Sequence, residues 1–215
     1  MMRRLGSLLL PLLLLQGPAL AHPHIFVDAK AGFRFNDAGQ VAGFRISWTY
    51  DAFTTLFLFD VLDLDRDGDG ALDDADYAAI LRGETEWQEG YVGDIYFEVN
   101  DTVKPHLVPV DAEALYRDEL ITIRFDLPLA TPVDVAGQDV VLRLYDPNYY
   151  YAYTVAEITN ATHLPDGCAV DLVPFEPDAL TSDLLVALGS LSREEQPEQE
   201  GIGRMFSDEV ILKCG

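Results

Sequence analysis

The fold of this chain is set near its start by residues 25–35 (IFVDAKAGFRF) and 41–50 (VAGFRISWTY), which are separated by the short run NDAGQ. Both segments are rich in β-branched and aromatic residues, which favour strands. Alternation in the second segment places Phe44, Ile46 and Trp48 on one face. The intervening Asn, Asp and Gly are residues that tight turns use. The pattern therefore predicts a β-hairpin.

The segment after the hairpin changes from strand to helix patterning. Asp51 stands where a helix N-cap belongs, and residues 52–62 (AFTTLFLFDVL) predict a helix with a broad apolar face. A dense Asp/Gly loop follows, and residues 74–82 predict a second short helix. We therefore expect a helix–loop–helix insert over residues 51–82.

The rest of the chain returns to strand-like runs separated by turn residues at near-regular spacing, which is typical of an antiparallel sandwich or barrel. The predicted strands are 95–99, 107–110, 120–125, 140–145 and 210–214; a helix is expected at 181–191 and a mobile surface loop at 192–201. The predicted fold class is α+β, mainly β: one antiparallel β-sandwich-like domain over residues 22–215, with an inserted EF-hand-like helix–loop–helix and one disulfide.

The first residues have the layout of a cleaved secretory signal peptide. Arg3 and Arg4 give a basic start, residues 5–15 form an apolar run, and small residues lead up to Ala21. An uncleaved anchor is the alternative, but the run is too short to cross a hydrocarbon core of roughly 30 Å. We expect residues 1–21 to be removed, leaving a periplasmic protein that begins at His22 and has no membrane span.

The charge balance is strongly acidic, with 37 Asp+Glu against 14 Lys+Arg and a formal net charge of −23. Such a surface repels phosphate backbones and anionic lipid headgroups and attracts cations, which argues against nucleic-acid partners.

The chain has two cysteines, Cys168 and Cys214. In an exported chain, two cysteines are expected to form one disulfide with each other, although a thiolate metal site is the alternative.

The acidic loop over residues 65–76 (DRDGDGALDDAD) fits the twelve-position EF-hand template. Gly70 stands at position 6, which requires a sharp turn, and position 12 is Asp76 where the template has Glu, so bidentate binding is harder. The predicted Ca²⁺ ligands are Asp65, Asp67, Asp69, the backbone carbonyl of Ala71, Asp73 and Asp76. An Asp-rich turn that caps two helices without metal is the alternative.

Cleavage after Ala21 would leave His22-Pro23-His24 at a free terminus. A terminal histidine offers its α-amine and its imidazole to one metal, and His24 lies close enough to add a third nitrogen. Pro23 has no amide hydrogen, which excludes the square-planar terminal site that needs deprotonated amides. The donor set suits Zn²⁺, Ni²⁺, Co²⁺ or Cu²⁺. A polar start to a strand is the alternative. The other two histidines, at 106 and 163, could complete such a site.

The mature chain resembles a bacterial periplasmic family of unknown function, DUF1007. The resemblance rests on residues 22–25 (HPHI), residues 48–53 (WTYDAF), the acidic loop, residues 145–147 (YDP) with the tyrosines that follow, and Cys214. It implies partnership with nickel-, cobalt- or zinc-handling membrane transporters.

We therefore expect a non-enzymatic periplasmic accessory protein. It would capture or hand over Zn²⁺, Ni²⁺ or Co²⁺ for an inner-membrane transporter, with Ca²⁺ holding the insert. The alternatives are a calcium-stabilised interaction module without transition-metal function and, less favoured, a copper enzyme. No nucleophile elbow, phosphate loop or dinucleotide fingerprint occurs in the sequence.

Overall fold

The computed structural model describes residues 22–161, 163–192 and 195–215, so the predicted signal peptide lies outside the described residues. The strands are β1 Ile25–Phe35, β2 Val41–Tyr50, β3 Ile95–Val99, β4 Thr102–Lys104, β5 Val110–Arg117, β6 Leu120–Val133, β7 Val140–Leu144, β8 Tyr151–Ile158, β9 Cys168–Val173 and β10 Glu209–Cys214. The helices are α1 Ala52–Leu62, α2 Asp74–Thr85, α3 Ala179–Gly189 and the 3₁₀ turn Ile202–Phe206. In this part of the chain no helix is long and apolar enough to cross a membrane.

Two five-stranded sheets carry the fold. The first has the order β5-β6-β2-β1-β8 and the second the order β4-β3-β7-β10-β9. The predicted hairpin is confirmed, because β1 and β2 pair antiparallel with Ala31 opposite Ile46. β1 also pairs with β8, and this pairing is parallel, with Ile25 opposite Tyr151. The parallel register brings the start of β1 beside the start of β8.

The core lies between the two sheets, which confirms the sandwich-like fold class. Phe44 is fully buried and its ring lies 5.0 Å from that of Phe97 on the second sheet, while Phe33 packs 5.8 Å from Phe44. Trp48 stacks edge-on against Phe125 at 4.9 Å. Burying side chains of this size stabilises the fold by roughly 1.5–3 kcal/mol each, and edge-to-face packing of the rings adds to it.

The predicted helix–loop–helix is present between β2 and β3. Asp51 caps α1 by accepting from the amide of Thr54 at 2.9 Å, and Asp63 ends the helix in a left-handed conformation. The hydroxyl of Thr55 accepts from the amide of Ile121 at 3.2 Å, which fastens α1 to β6. α2 continues to Thr85, beyond the predicted end at residue 82.

The C-terminal strand is tied to its neighbour by the predicted disulfide. Cys168 and Cys214 face each other in register on β9 and β10, with their Cα atoms 4.1 Å apart, and their sulfurs are bonded.

The predicted strand over residues 107–110 is largely absent, because β5 begins at Val110. Pro109 has no amide hydrogen to donate to a ladder, which explains the late start.

Candidate metal centres

The N-terminal segment is held in place by the start of β8. The amides of His24 and Ile25 both donate to the carbonyl oxygen of Tyr150, at 2.9 Å and 3.2 Å. The ring of Tyr150 lies 4.6 Å from the ring of His24 and 6.0 Å from that of His22. The parallel pairing of β1 with β8 therefore brings both histidines against a tyrosine that is far from them in sequence.

His22 is buried, with 5% of its surface exposed, and its two ring nitrogens have different surroundings. Nε2 lies 3.0 Å from the backbone carbonyl oxygen of Glu195. Because a carbonyl oxygen can only accept, this contact requires the hydrogen on Nε2 and leaves a lone pair on Nδ1 in the neutral ring. Among the described residues Nδ1 has no hydrogen-bond partner. A backbone carbonyl that fixes the tautomer is the usual outer-shell partner of a metal-binding histidine.

The two imidazole rings have a spacing that one metal ion could bridge. Their centroids lie 4.8 Å apart and their planes are at 87°. With metal–nitrogen bonds of about 2.0–2.1 Å, two imidazoles on one ion at ligand angles between 90° and 109° would have centroids roughly 4.5–5.2 Å apart. The observed spacing falls inside that interval. His22 and His24 are therefore brought together as the sequence predicted.

A cavity of about 260 Å³ opens beside His22. Its lining includes Asp146, Tyr151 and Gln196. Asp146 is already engaged, because its carboxylate accepts from the amides of Asn148, Tyr150 and Tyr151 at 2.9, 2.8 and 3.2 Å. Asp146 therefore fixes the turn that presents Tyr150 to the histidines.

Sequence reasoning did not assign Asp146, Tyr150 or Glu195 to this site, although residues 145–147 and the tyrosines after them carried the family resemblance. The Asp146-Pro147-Asn148 run was a detectable signal, since an Asp before a turn commonly accepts from amides that follow it. Nothing in the sequence pointed to the carbonyl of Glu195, which lies 173 positions from His22.

The other two histidines are placed in different surroundings. The Nε2 atom of His106 lies 3.0 Å from the carbonyl oxygen of Val92, and its ring packs 5.9 Å from Trp87. His163 follows β8, whose end pairs with the far part of β1. At about 3.3 Å per residue, the length of β8 separates His163 from His22 by roughly 20 Å. The structure therefore does not bring His163 to the terminal pair.

Two carboxylates, of which Asp94 is buried and Glu84 half-buried, are hydrogen-bonded to buried tyrosines of β2 and β8. The hydroxyl of Tyr153 donates to Asp94 at 3.0 Å, and the hydroxyl of Tyr50 donates to Glu84. Burial, with a smaller contribution from the charge of Asp146, raises the pKa of Asp94 to about 7. Burial likewise raises the pKa of Glu84. The helical insert, through Glu84, is thus hydrogen-bonded to the end of β2.

The acidic loop gathers part of the predicted calcium ligand set. Asp65, Asp67 and Asp69 each offer a carboxylate oxygen, and these atoms lie within 4.8 Å of one another. Gly70 adopts a left-handed φ of 83°, as the sharp turn requires. A carboxylate oxygen of Asp65 also accepts from the amide of Asp69 at 3.0 Å, which closes the loop around the three side chains. Hard oxygen donors at this spacing fit Ca²⁺.

Most of the predicted loop ligands line one cavity, and two of them, Asp73 and Asp76, also cap α2. Asp67, Asp69, Ala71, Asp73 and Asp76 all border a cavity of about 580 Å³. Asp73 caps α2 by accepting from the amide of Asp76 at 3.0 Å, and Asp76 in return accepts from the amide of Asp73 at 3.0 Å. This capping box orients both side chains toward α2. In a metal site, each carboxylate would therefore have to cap the helix and bind the ion at the same time.

Comparison with known proteins gives a family assignment without an activity. The sequence model of a family described as "Protein of unknown function (DUF1007)" matches residues 7–214. An uncharacterized protein of Haemophilus influenzae is 27% identical over 213 residues, covering 97% of this chain and 98% of the relative. No solved structure matches the chain.

Proposed function

The chain belongs to the DUF1007 family of proteins of unknown function, and we propose that it is a periplasmic metal-binding accessory protein. It captures or hands over a transition metal, Zn²⁺, Ni²⁺ or Co²⁺, for an inner-membrane transporter. A Ca²⁺ ion in the acidic loop holds the helical insert. The family resemblance motivates the transporter as partner, and the geometry of the N-terminal segment motivates the metal.

The proposal rests on the hydrogen bonding of the His22 ring. Its Nε2 atom is hydrogen-bonded to the carbonyl oxygen of Glu195, and its Nδ1 atom is buried without a hydrogen-bond partner among the described residues. A buried polar atom left in that condition costs free energy, roughly 1–3 kcal/mol. Coordination of a metal would remove that cost. In a chain that begins at His22, the α-amine and Nδ1 would close one chelate ring on the ion.

The donor set supports a borderline metal ion as the cargo. An amine and two imidazoles are nitrogen donors, which suit Zn²⁺, Ni²⁺, Co²⁺ and Cu²⁺ far better than Ca²⁺ or Mg²⁺. The strongly negative chain raises the local concentration of cations, which favours capture. Three nitrogen donors do not fill the coordination shell of such an ion. The remaining coordination positions can take water or a ligand from the receiving protein. Such incomplete coordination favours exchange.

Calcium is proposed as a structural ion. Asp65, Asp67 and Asp69 would supply oxygens, with Ala71, Asp73 and Asp76 completing the shell to the extent that the capping box of α2 permits. Affinity is expected to be modest, since position 12 is the shorter Asp. Extracellular calcium modules function at Kd values of about 10⁻⁴–10⁻³ M, so modest affinity suffices outside the cytoplasm.

Export is proposed from the signal-like first residues and is supported by the disulfide. Disulfides persist in oxidising compartments such as the bacterial periplasm. The bond between Cys168 and Cys214 is compatible with that location.

Substitution of the terminal histidines tests the proposal. His22→Ala and His24→Ala should abolish Zn²⁺ and Ni²⁺ binding in calorimetric titrations of the processed protein, while the circular dichroism spectrum stays unchanged. His163→Ala, which alters a histidine elsewhere, is the matched control and should bind normally. Unchanged affinity in both terminal variants would refute the metal site.

The second candidate is a calcium-stabilised periplasmic interaction module without transition-metal function. The observation that favours it is the large apolar surface that α1 leaves exposed, where Phe53 is 86% accessible. This candidate predicts that the processed protein takes up Ca²⁺ and no transition metal.

A further inference from the structure

Helix α1 has two apolar faces: among the described residues one packs against the core and the other is largely exposed. Leu58, Phe59 and Leu62 pack against the core, and the ring of Phe59 lies 5.1 Å from that of Tyr116. Phe53, Leu56, Phe57 and Val61 stand on the opposite side at helical spacing and are 86%, 65%, 51% and 57% exposed. We propose that these four residues, here called the α1 face, dock an apolar protein segment flanked by Lys or Arg.

The exposed side chains are not needed to hold α1 in place. The helix is capped by Asp51, fastened to β6 through Thr55, and packed through its inner face. Four large apolar side chains share one outer face of the helix, and exposed apolar patches mark interaction surfaces more often than single exposed residues do. Their role is therefore to be sought in a contact with another molecule.

The patch continues onto the sheet. Phe26 on β1 is 54% exposed, its amide donates to the carboxylate of Asp51 at 2.9 Å, and its carbonyl accepts from the amide of Asp51 at 3.1 Å. Asp51 is the N-cap of α1, so Phe26 adjoins the beginning of the α1 face. Phe26 is also only two residues beyond His24, which brings the docking surface next to the terminal histidines.

The acidic residues beside the α1 face indicate the kind of partner that it binds. Asp60 stands on the helix between Phe57 and Val61, and Asp28 borders the hollow beside Phe26. Neither carboxylate takes part in an ion pair within the described part of the chain, whereas Asp63 is paired with Arg66 at 2.8 Å. An apolar segment with basic flanks would complement this arrangement. A second copy of the chain or an anionic lipid surface would place like charges against each other.

This surface does not depend on the proposed metal function. An accessory protein that docks through α1 would bring a partner beside the terminal histidines, yet the contact would exist in a protein that carried no transition metal. The two proposals can therefore fail separately.

A synthetic helical peptide with Leu on one face and Lys on both flanks serves as the probe. Its binding to the processed chain, with Ca²⁺ present, is measured by fluorescence anisotropy. Phe53→Ser/Phe57→Ser should weaken binding by roughly tenfold or more, because apolar anchors dominate such contacts. The matched control is Leu180→Ser/Val186→Ser on α3, where both residues are similarly exposed, and its affinity should equal that of the natural chain.

Several results would overturn the proposal. Equal affinity of the natural chain and the Phe53/Phe57 variant would show that the peptide is held by charge alone. Equal affinity for a peptide with Glu in place of Lys, or no binding of the Lys peptide at all, would remove the stated partner chemistry. A dimer in sedimentation that the Phe53/Phe57 variant dissociates would assign the α1 face to a second copy. Binding to phosphatidylglycerol vesicles that the same variant loses would assign it to lipid.

Discussion

The Nε2 atom of His22 lies 3.0 Å from the backbone carbonyl oxygen of Glu195. This contact joins the beginning of the described chain to a segment near its C-terminal end. It selects the ring tautomer in which Nδ1 carries the lone pair, and Nδ1 is the nitrogen nearest to the α-amine of the same residue. In a chain that begins at His22, this tautomer would let Nδ1 and the α-amine bind one ion together, as the proposed function requires.

The turn held by Asp146 should control metal affinity without supplying a ligand. Asp146→Ala removes the acceptor for three amides and frees Tyr150 from its position beside His24. We expect Zn²⁺ affinity to fall by roughly 10–100-fold, as is usual for outer-shell residues. Asp146→Asn keeps one acceptor oxygen and should lose less. Calorimetric titration of both variants measures the difference, and equal affinity of Asp146→Ala and the natural protein would contradict this role.

Calcium should stabilise the fold through the acidic loop. At a free Ca²⁺ concentration of 100 Kd, the natural protein should gain about 2.7 kcal/mol in its free energy of unfolding. Asp65→Asn/Asp67→Asn should abolish that gain because it removes two charged oxygens from the cluster. Asp37→Asn, at an exposed turn position, is the control and should respond to Ca²⁺ normally. Thermal melts with and without Ca²⁺ test this, and a full response in the double variant would disprove a site at these residues.

The disulfide should contribute substantially to stability. Cys168 and Cys214 are 46 positions apart, and closing a loop of that length stabilises by about 4 kcal/mol on the chain-entropy account. Cys168→Ala/Cys214→Ala should therefore lower the urea midpoint clearly, and reduction of the natural protein should do the same. A midpoint that does not move in either experiment would rule out this contribution.

Asp94 should make the protein less stable as the pH rises through the neutral range. Burial raises the pKa of Asp94 to about 7, above the ordinary value of 3.8, so the folded state binds more protons than the unfolded state between these values. The free energy of unfolding must then fall as the pH rises across that interval. Asp94→Asn should flatten this decline and be more stable than the natural protein at pH 8, by roughly 1–3 kcal/mol.

Urea denaturation at pH 5 and pH 8 distinguishes these outcomes for Asp94. Asn tolerates the left-handed φ of 55° at this position and can still accept from the hydroxyl of Tyr153. Parallel pH profiles for the two proteins would mean that Asp94 titrates normally in the folded state.

The sequence predicts local structure well here and long-range pairing poorly. The hairpin and α1 were recoverable because alternation, turn residues and the N-cap Asp51 are local signals. β8 was not among the predicted strands, and its pairing with β1 is parallel and spans more than a hundred residues, which no local signal reports. The strand predicted over residues 107–110 was wrong because Pro109 interrupts the ladder.

The same limit applies to the candidate site. His22 and His24 could be singled out from residue type and position, and the Asp spacing of the acidic loop predicted the cluster of Asp65, Asp67 and Asp69. The contribution of Glu195 is a backbone carbonyl, which any residue could supply, so no side-chain pattern reports it. Contacts of that kind become visible only when the register of the strands is known.

The terminal chelate is best tested by titrating Zn²⁺ and Ni²⁺ into the processed protein and into a version that carries one extra residue before His22. Ca²⁺ is kept in excess so that the acidic loop is filled. We expect the native terminus to bind with a Kd of about 1 μM or lower, and the extended version to lose this affinity because its α-amine no longer adjoins Nδ1. Equal binding by the two versions would contradict the terminal chelate, and no binding by either would contradict the metal-handling function altogether.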